Sequence, residues 1–187
     1  MDERKWIERI LAGDTQSFSC LVAKYEKMAY TIALRILENR EEAEEAVQDA
    51  FVKMYRALSD FHFDSKFSTW FYRIVYRTAL TALRQQRMFV SYEEAGPVDL
   101  SNDEVESATA LLEREDRKEM IARTLKKLPA DEALLLTLYY LEECSVEGIC
   151  QITELSASNV KVKLFRGRKR FYEVLQDKMK LETADLL

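Results

Sequence analysis

Apolar residues recur at the three- and four-residue spacing of an amphipathic helix over most of the chain. Four Gly and two Pro among 187 residues leave few positions for turns, which favours long helices. We expect Asn39 to end the second helix in the left-handed conformation that Asn tolerates, and Ser65 to accept from the free amides that open the fourth. The pattern predicts an all-α protein whose helices run from Asp2 to Leu11, from Asp14 or Thr15 to Asn39, from Glu41 to Leu58, from Phe67 to Arg87, around Leu111 to Leu128, from Asp131 to Glu142, from Val146 to Ile152 and from Ala157 to about Met179.

The helical periodicity lapses after Arg87, in a stretch that contains Gly96-Pro97 and turns acidic. Residues 88–112 hold six acidic and no basic residues, whereas residues 1–87 hold 13 acidic and 14 basic and residues 113–187 hold 14 of each. We therefore expect two small helical domains, residues 1–88 and 113–187, joined by an acidic linker at residues 89–112. The net charge of −5 does not exclude nucleic acid, because a segregated basic patch attracts phosphate whatever the total charge.

The fourth helix and the loop before it carry cations and aromatic rings without acidic neighbours. No Asp or Glu lies between Asp64 and Glu93. Cations along a helix with aromatic rings at its entry suit a phosphate backbone with unstacked bases. An ordinary amphipathic helix with a solvated basic face produces the same pattern, and on this ground alone the two interpretations are equally weighted. The residues concerned are Lys66, Arg73, Arg77, Arg84 and Arg87, with Phe61, Phe63, Tyr72 and Tyr76.

The outer face of the third helix is acidic over three turns. Acidic residues in a first turn complement the helix dipole, which accounts for Glu41 and Glu42. It does not account for Glu45 and Asp49, which extend the stripe by two turns. Such a face suits docking on a basic partner helix. From the residues alone, a plain solvated face is the favoured interpretation.

A short helix, a tight turn and a longer helix near the end of the chain have the outline of a helix-turn-helix. Ser145 can cap the first helix and Ser156 the second. Six basic and no acidic residues lie between Lys161 and Arg170, so the second helix can approach DNA without repulsion. Short helix pairs also occur in bundles, but the basic run favours DNA binding with the polar face in the major groove.

The sequence offers no candidate for covalent chemistry. The three Cys match no metal-ligand spacing, the single His62 has no ligand set or triad, and no Gly-rich phosphate loop occurs. We therefore expect no catalytic residue, no metal and no cofactor, and a protein that is not an enzyme. No apolar run is long enough for membrane insertion and the N-terminus is charged, so we expect a cytoplasmic protein with reduced thiols.

Taken in order, four segments resemble bacterial RNA polymerase sigma factors of the extracytoplasmic-function (ECF) group. GDTQSFSCLVAKYEKMAYTIALRIL resembles the opening helices of sigma region 2, and REEAEEAVQDAFVKMYRAL resembles its polymerase-docking segment. FSTWFYRIVYRTALTALRQQR resembles the segment that recognises and opens the −10 promoter element. LKKLPADEALLLTLYYLEECSVEGICQITELSASNVKVKLFRGRKRF resembles region 4, whose helix-turn-helix reads the −35 element. The resemblance covers residues from about Ile10 to Leu175.

This resemblance implies a transcription initiation factor that binds core RNA polymerase through the β′ and β subunits, binds promoter DNA, and is held inactive by an anti-sigma factor. The implied polymerase-binding residues are Glu44, Glu45, Gln48 and Asp49. The residues implied for the −10 element and its single strand are Phe61, Phe63, Asp64, Lys66, Trp70, Tyr72, Arg73, Arg77 and Arg84. Those implied for the −35 element are Ser158, Lys161, Val162, Lys163, Phe165, Arg166 and Lys169.

The chain departs from the family pattern at four of these or neighbouring positions. Arg77 and Thr81 stand where members usually carry Asn and then Asp, which affects the −10 base preference. Glu154 stands where the turn usually has Gly, so we expect a turn that is one residue longer or differently capped. Val162 replaces a frequent Ser, which exchanges a hydrogen bond for a methyl contact such as one with thymine.

Two other classes of protein fit parts of the pattern. A stand-alone helix-turn-helix regulator would bind duplex DNA without polymerase, and its N-terminal half would sense a signal or dimerise. An adaptor that binds polymerase without reading DNA would leave the basic run of the last helix without a role.

Overall fold

A computed structural model describes residues 3–90 and 112–184 of the chain. In these two ranges every regular element is helical, so the all-α prediction is confirmed. The linker expected at residues 89–112 lies outside them, apart from the end of one helix and the start of the next. The helices are α1 (Glu3–Leu11), α2 (Gln16–Leu37), α3 (Arg40–Arg56), α4 (Phe67–Val90), α5 (Leu112–Lys126), α6 (Ala130–Leu136), α7 (Val146–Thr153) and α8 (Ala157–Ala184).

The first domain is a bundle in which α2, α3 and α4 pack against one another and α1 packs on α2. Its core follows the predicted periodicity, because Leu21, Ile32 and Phe71 are fully buried on the inner faces of α2 and α4. Burying such a side chain contributes about 1.5–3 kcal/mol. The ring of Phe71 on α4 lies 4.8 Å from that of Phe51 on α3 and 5.9 Å from that of Tyr25 on α2, so it contacts both of the other long helices.

The junctions between helices differ from the sequence predictions. Asn39 does not take the left-handed conformation; Glu38 does, with φ 54°, and the Asn39 side chain instead caps α3 by accepting from the amide of Glu42. The Ser65 hydroxyl donates to the carbonyl of Lys66 rather than accepting from an amide of α4. Asp14 and Thr15 were both predicted as possible caps of α2. The Asp14 side chain is the one that accepts from the first amide of the helix, that of Gln16. A single Asn between two helices can serve either one, and the local sequence does not decide which.

The second domain contains the predicted helix-turn-helix, formed by α7 and α8. Ser145 and Ser156 cap the two helices as expected, by accepting from the amides of Gly148 and Asn159. Gly167 lets α8 approach α6 closely, because a Cβ there would lie 3.2 Å from Leu136 Cδ1. Beyond α6 the helix continues as one π-helical stretch, Thr137–Leu141.

The two domains are in contact, α7 with α4 and α6 with α2, and their apolar residues form one continuous cluster. Gly148 of α7 faces Thr69 of α4, where a Cβ at Gly148 would lie 3.5 Å from the threonine hydroxyl oxygen. The Arg35 guanidinium of α2 donates to the backbone carbonyl of Leu125 across the same boundary, at 3.3 Å. The second domain therefore packs on the helix predicted to open the −10 element.

Candidate polymerase and nucleic-acid interfaces

The acidic face of α3 is exposed, and the helix that carries it is hydrogen-bonded to α4. The face is formed by Glu44, Glu45, Gln48 and Asp49, all of which are exposed. The opposite side of the helix is buried through small residues such as Ala43 and Ala50. Two contacts hold α3 against α4: Gln86 donates to Glu42 at 3.0 Å, and Lys53 donates to Thr78 at 3.2 Å. Glu42, which the sequence suggested only as a dipole partner, is therefore a link between the helices.

In the loop that precedes α4, one aromatic ring is exposed to solvent and packs on another aromatic ring that is buried. Phe61 is buried, with its ring centroid 4.7 Å from that of Phe63 and 5.1 Å from that of Trp70. Phe63 is exposed, and its φ of 61° places a bulky side chain in the left-handed region, where such residues are rare. The Arg4 guanidinium of α1 lies 4.7 Å from the Phe63 ring centroid. Arg4 is not predictable from the sequence as part of this site, because no local signal connects α1 to this loop.

The predicted −10 residues on α4 fall into two groups. Lys66, Arg73, Arg77 and Arg84, together with Asp64 in the loop, are exposed, and Trp70 is half-buried. Tyr72 is only 2% exposed, and its hydroxyl donates to Glu142 of the second domain at 2.7 Å. Burial, with the hydrogen bond to Glu142, raises the pKa of the Tyr72 phenol. The Tyr72 hydroxyl is therefore held by the second domain, while the ring lies beside Tyr25 and Phe71 of the first.

Two of the exposed cations on α4 also meet the second domain. Arg77 Nε lies 3.0 Å from Glu154 Oε1, a second nitrogen of the same guanidinium contacts that oxygen, and Arg73 Nη2 lies 3.5 Å from it. The hydrogen bond from Arg77 lowers the pKa of the Glu154 carboxyl. Glu154 has φ 62° and forms the left-handed cap of α7, so the turn is differently capped. The Thr81 hydroxyl donates to the carbonyl of Arg77 at 2.8 Å.

The basic face of α8 is open to solvent except at one predicted position. Lys163 is partly buried and forms an ion pair with Asp131 of α6. Burial raises the pKa of the Asp131 carboxyl, but the hydrogen bond and charge of Lys163 outweigh it, and the net pKa is lowered. Lys163 thus ties α8 to α6, as Arg170 does through Glu132 at 3.3 Å. The exposed residues of this face are Ser158, Lys161, Val162, Phe165, Arg166 and Lys169.

Within residues 3–90 and 112–184, no cluster of His, Cys, Asp or Glu is arranged to hold a metal ion. None of the helices described there is long and apolar enough to cross a membrane.

Comparison with known protein families finds a match in each of the two domains. Residues 21–88 match the family model of sigma-70 region 2, and residues 118–171 match that of sigma-70 region 4. The chain is 32% identical over 181 residues to the RNA polymerase sigma-H factor of Pseudomonas aeruginosa, covering 93% of this chain and 94% of that protein. It is 30% identical over 170 residues to the ECF RNA polymerase sigma-E factor of Escherichia coli K12, covering 87% of this chain and 88% of that protein.

Two solved structures share the fold. One is the sigma factor RpoE in complex with the anti-sigma factor NepR from Bartonella quintana, with a TM-score of 0.70 and 18% identity over 87% of this chain and 98% of that one. The other is CnrH in complex with the cytosolic domain of CnrY, with a TM-score of 0.61 and 20% identity over 94% of this chain and 97% of that one.

Proposed function

Because the chain belongs to the ECF group of RNA polymerase sigma factors, we propose that its two helical domains divide promoter recognition between them. The protein is a transcription initiation factor, not an enzyme, and its partners are core RNA polymerase and promoter DNA. This membership decides against the stand-alone regulator and the adaptor. Under the proposal, residues 1–88 dock on the polymerase and open the −10 element, and residues 113–187 bind the −35 element.

The polymerase-docking surface is the acidic face of α3. Its four residues are exposed, and the contacts of Glu42 and Lys53 with α4 hold the helix in place without using them. Carboxylates on a rigid face steer encounter with a basic partner helix and select its orientation. Core polymerase, through its β′ and β subunits, is the partner proposed for this face.

The −10 surface is formed by the aromatic loop and the basic side of α4. A base flipped from the strand stacks on an aromatic ring, and stacking of this kind is worth about 1–3 kcal/mol per base, which offsets the cost of flipping. Exposed Phe63, which packs on the buried ring of Phe61, supplies such a ring, and Asp64 beside it supplies an acceptor. Lys66, Arg73, Arg77 and Arg84, with Trp70 and Tyr72, would then follow the separated strand.

The −35 surface is the exposed face of α8. Lys161, Arg166 and Lys169 provide charge for phosphates and base edges, and Ser158 provides a hydroxyl. Val162 and Phe165 are exposed apolar side chains, which suit contact with the thymine methyl group rather than a core. Lys163 supports this face through Asp131.

An anti-sigma factor is the proposed regulatory partner, because one of the structures that share the fold holds an anti-sigma factor. The proposed location is the cytoplasm, where polymerase and promoter DNA are found.

The observation that carries the proposal is the placement of an exposed acidic face and an aromatic-basic face on adjacent helices of one bundle. The test mixes the protein with sigma-free core polymerase and follows open-complex formation on a promoter pool. Glu45→Arg with Asp49→Arg should weaken polymerase binding about tenfold or more. Glu26→Arg with Asp177→Arg makes the same change of charge at exposed positions outside the proposed surfaces and should leave it unchanged. Equal losses in both variants would contradict the docking face.

A further inference from the structure

Two acidic residues of the second domain contact the proposed −10 surface of α4. Glu142 accepts the hydrogen bond of Tyr72 at 2.7 Å, and Glu154 forms ion pairs with Arg73 and Arg77. A carboxylate on a guanidinium uses the same donors that a phosphate would use. A phenol that is 2% exposed cannot stack on a base. The strand-binding groups of Tyr72, Arg73 and Arg77 are therefore already engaged.

Glu154 reaches α4 from the left-handed cap that ends α7. Its φ of 62° is a conformation that Gly adopts freely and that side chains with a Cβ resist. Glu154 and Arg77 are both departures from the family pattern, and they are partners of each other.

The contact between the domains covers one of the two proposed DNA-binding surfaces and leaves the other exposed. It covers part of α4, whereas the −35 face of α8 remains exposed, with Lys161, Phe165 and Arg166 all accessible. In this arrangement the protein can present its duplex-binding face while part of its strand-binding face is occupied.

We propose that Glu142 and Glu154 form an autoinhibitory latch, which holds the second domain on α4 and blocks single-strand binding until the domains separate. The latch rests on the proposed role of α4 at the −10 element. The exposed ion pairs are individually weak, and the buried Tyr72 contact and the apolar packing of α7 on α4 add to them. The closed state is therefore displaced by a partner, such as polymerase, that binds the open state more tightly. The lowered pKa of Glu154 agrees with a carboxylate that is ionised in the closed state.

The test measures closure and strand binding separately in the full-length protein. Closure is followed by distance measurements between labels on Cys20 and on an introduced Ala122→Cys, two exposed positions in different domains, in a background with Cys144→Ala and Cys150→Ala. Strand binding is followed by fluorescence anisotropy with a labelled pool of random single-stranded DNA of about 12 nucleotides. Duplex binding to a pool of double-stranded DNA is measured alongside.

The key variant is Glu154→Gln, and its matched control is Glu147→Gln, an exposed residue of the same helix with the same change of charge. Glu154→Gln should lengthen the interdomain distance and raise single-strand affinity about three- to tenfold, with duplex affinity unchanged. Glu147→Gln should do neither. Glu154→Gly removes the carboxylate while easing the backbone, so opening in this variant cannot come from a distorted turn. Glu154→Arg should also open the protein, and adding Arg73→Glu with Arg77→Glu should restore the short distance.

Identical distances and affinities in Glu154→Gln and Glu147→Gln would overturn the latch, and so would opening without a gain in strand binding. The role of α4 is checked independently in the polymerase complex, where the proposal requires the domains to be apart. If Arg73→Ala with Arg77→Ala leaves −10 opening unchanged there, the proposed function of α4 fails, whatever the distance measurements show.

Discussion

The hydroxyl of Tyr72 on α4 donates to the carboxylate of Glu142, 70 residues further along the chain and in the other domain. The bond places a residue expected to touch DNA inside the protein. Burial raises the pKa of the phenol, and the hydrogen bond acts in the same direction, so Tyr72 is a protonated donor at neutral pH. Access of DNA to the Tyr72 hydroxyl therefore depends on the position of the second domain.

Replacing Tyr72 with Phe should lower the free energy of unfolding by about 1–2 kcal/mol, because a half-buried carboxylate loses its donor. Urea denaturation measures the change. Tyr76→Phe is the matched control on the same helix, since no hydrogen bond of the Tyr76 hydroxyl occurs among the residues that the structure describes. Equal losses in the two variants would show that the Glu142 bond contributes nothing specific.

Lys161 and Lys163 lie two positions apart on α8 but should behave differently. Lys161→Ala should weaken −35 duplex binding and reduce the salt dependence by about one phosphate contact. Lys163→Ala should instead cost about 0.5–1 kcal/mol of stability, because it breaks the ion pair with Asp131. Thermal unfolding and duplex titrations at several salt concentrations separate the two effects. Asp131→Asn should reproduce the stability loss of Lys163→Ala, and combining the two should add little.

The closed arrangement of the two domains should become less stable as the pH falls. The hydrogen bond from Arg77 lowers the pKa of Glu154 in the closed state below its ordinary value of 4.5, so the open state binds the proton more tightly. The contribution of Glu154 is therefore fully present above about pH 4.5 and is lost as the pH falls through the lowered pKa. The charged and titratable groups that face the carboxylate are Arg73 and Arg77, with Tyr76 nearby.

Interdomain distance measured from pH 7 to below pH 4.5, down to the lowest pH at which the protein remains folded, should show this opening in the native chain. Glu154→Gln should be more open than the native chain at neutral pH and show a smaller change on acidification. A native chain that stays closed at the lowest pH at which it remains folded would rule out a contribution from Glu154.

Cys144 offers a native reporter of the same event. The thiol is buried, and burial with the nearby Glu142 charge raises its pKa to about 11, so it should react slowly with thiol reagents near pH 8. Lys66, at the entry to α4, is close enough for its charge to act on the thiol, which places Cys144 near the domain boundary. In a Cys20→Ser, Cys150→Ser background, Glu154→Arg should increase the labelling rate several-fold. Glu147→Arg should leave it unchanged, and a rate that rises equally in both would indicate general loosening.

The sequence by itself determined the features that depend on local chemistry. The spacing of apolar residues identified the helices and their buried faces, since side chains three and four positions apart must share a face. Ser145 and Ser156 were identifiable as caps because each lies directly before a helix, three residues ahead of the amide from which it accepts. The same periodicity placed the acidic stripe of α3 and most of the basic stripe of α8 on the outside, as they are found.

Only the tertiary structure decided which outward faces meet. Tyr72 and Glu142, Arg77 and Glu154, and Lys163 and Asp131 are separated by 70, 77 and 32 residues, and no periodicity reports on contacts at such distances. Helical spacing predicts that a side chain leaves its own helix core, not whether another domain covers it. The 21 residues between the end of α4 and the start of α5, residues 91–111, are enough to permit both a closed and an open arrangement. The closed one depends on complementary charge and close packing between α4 and α7, which exist only once both domains have folded.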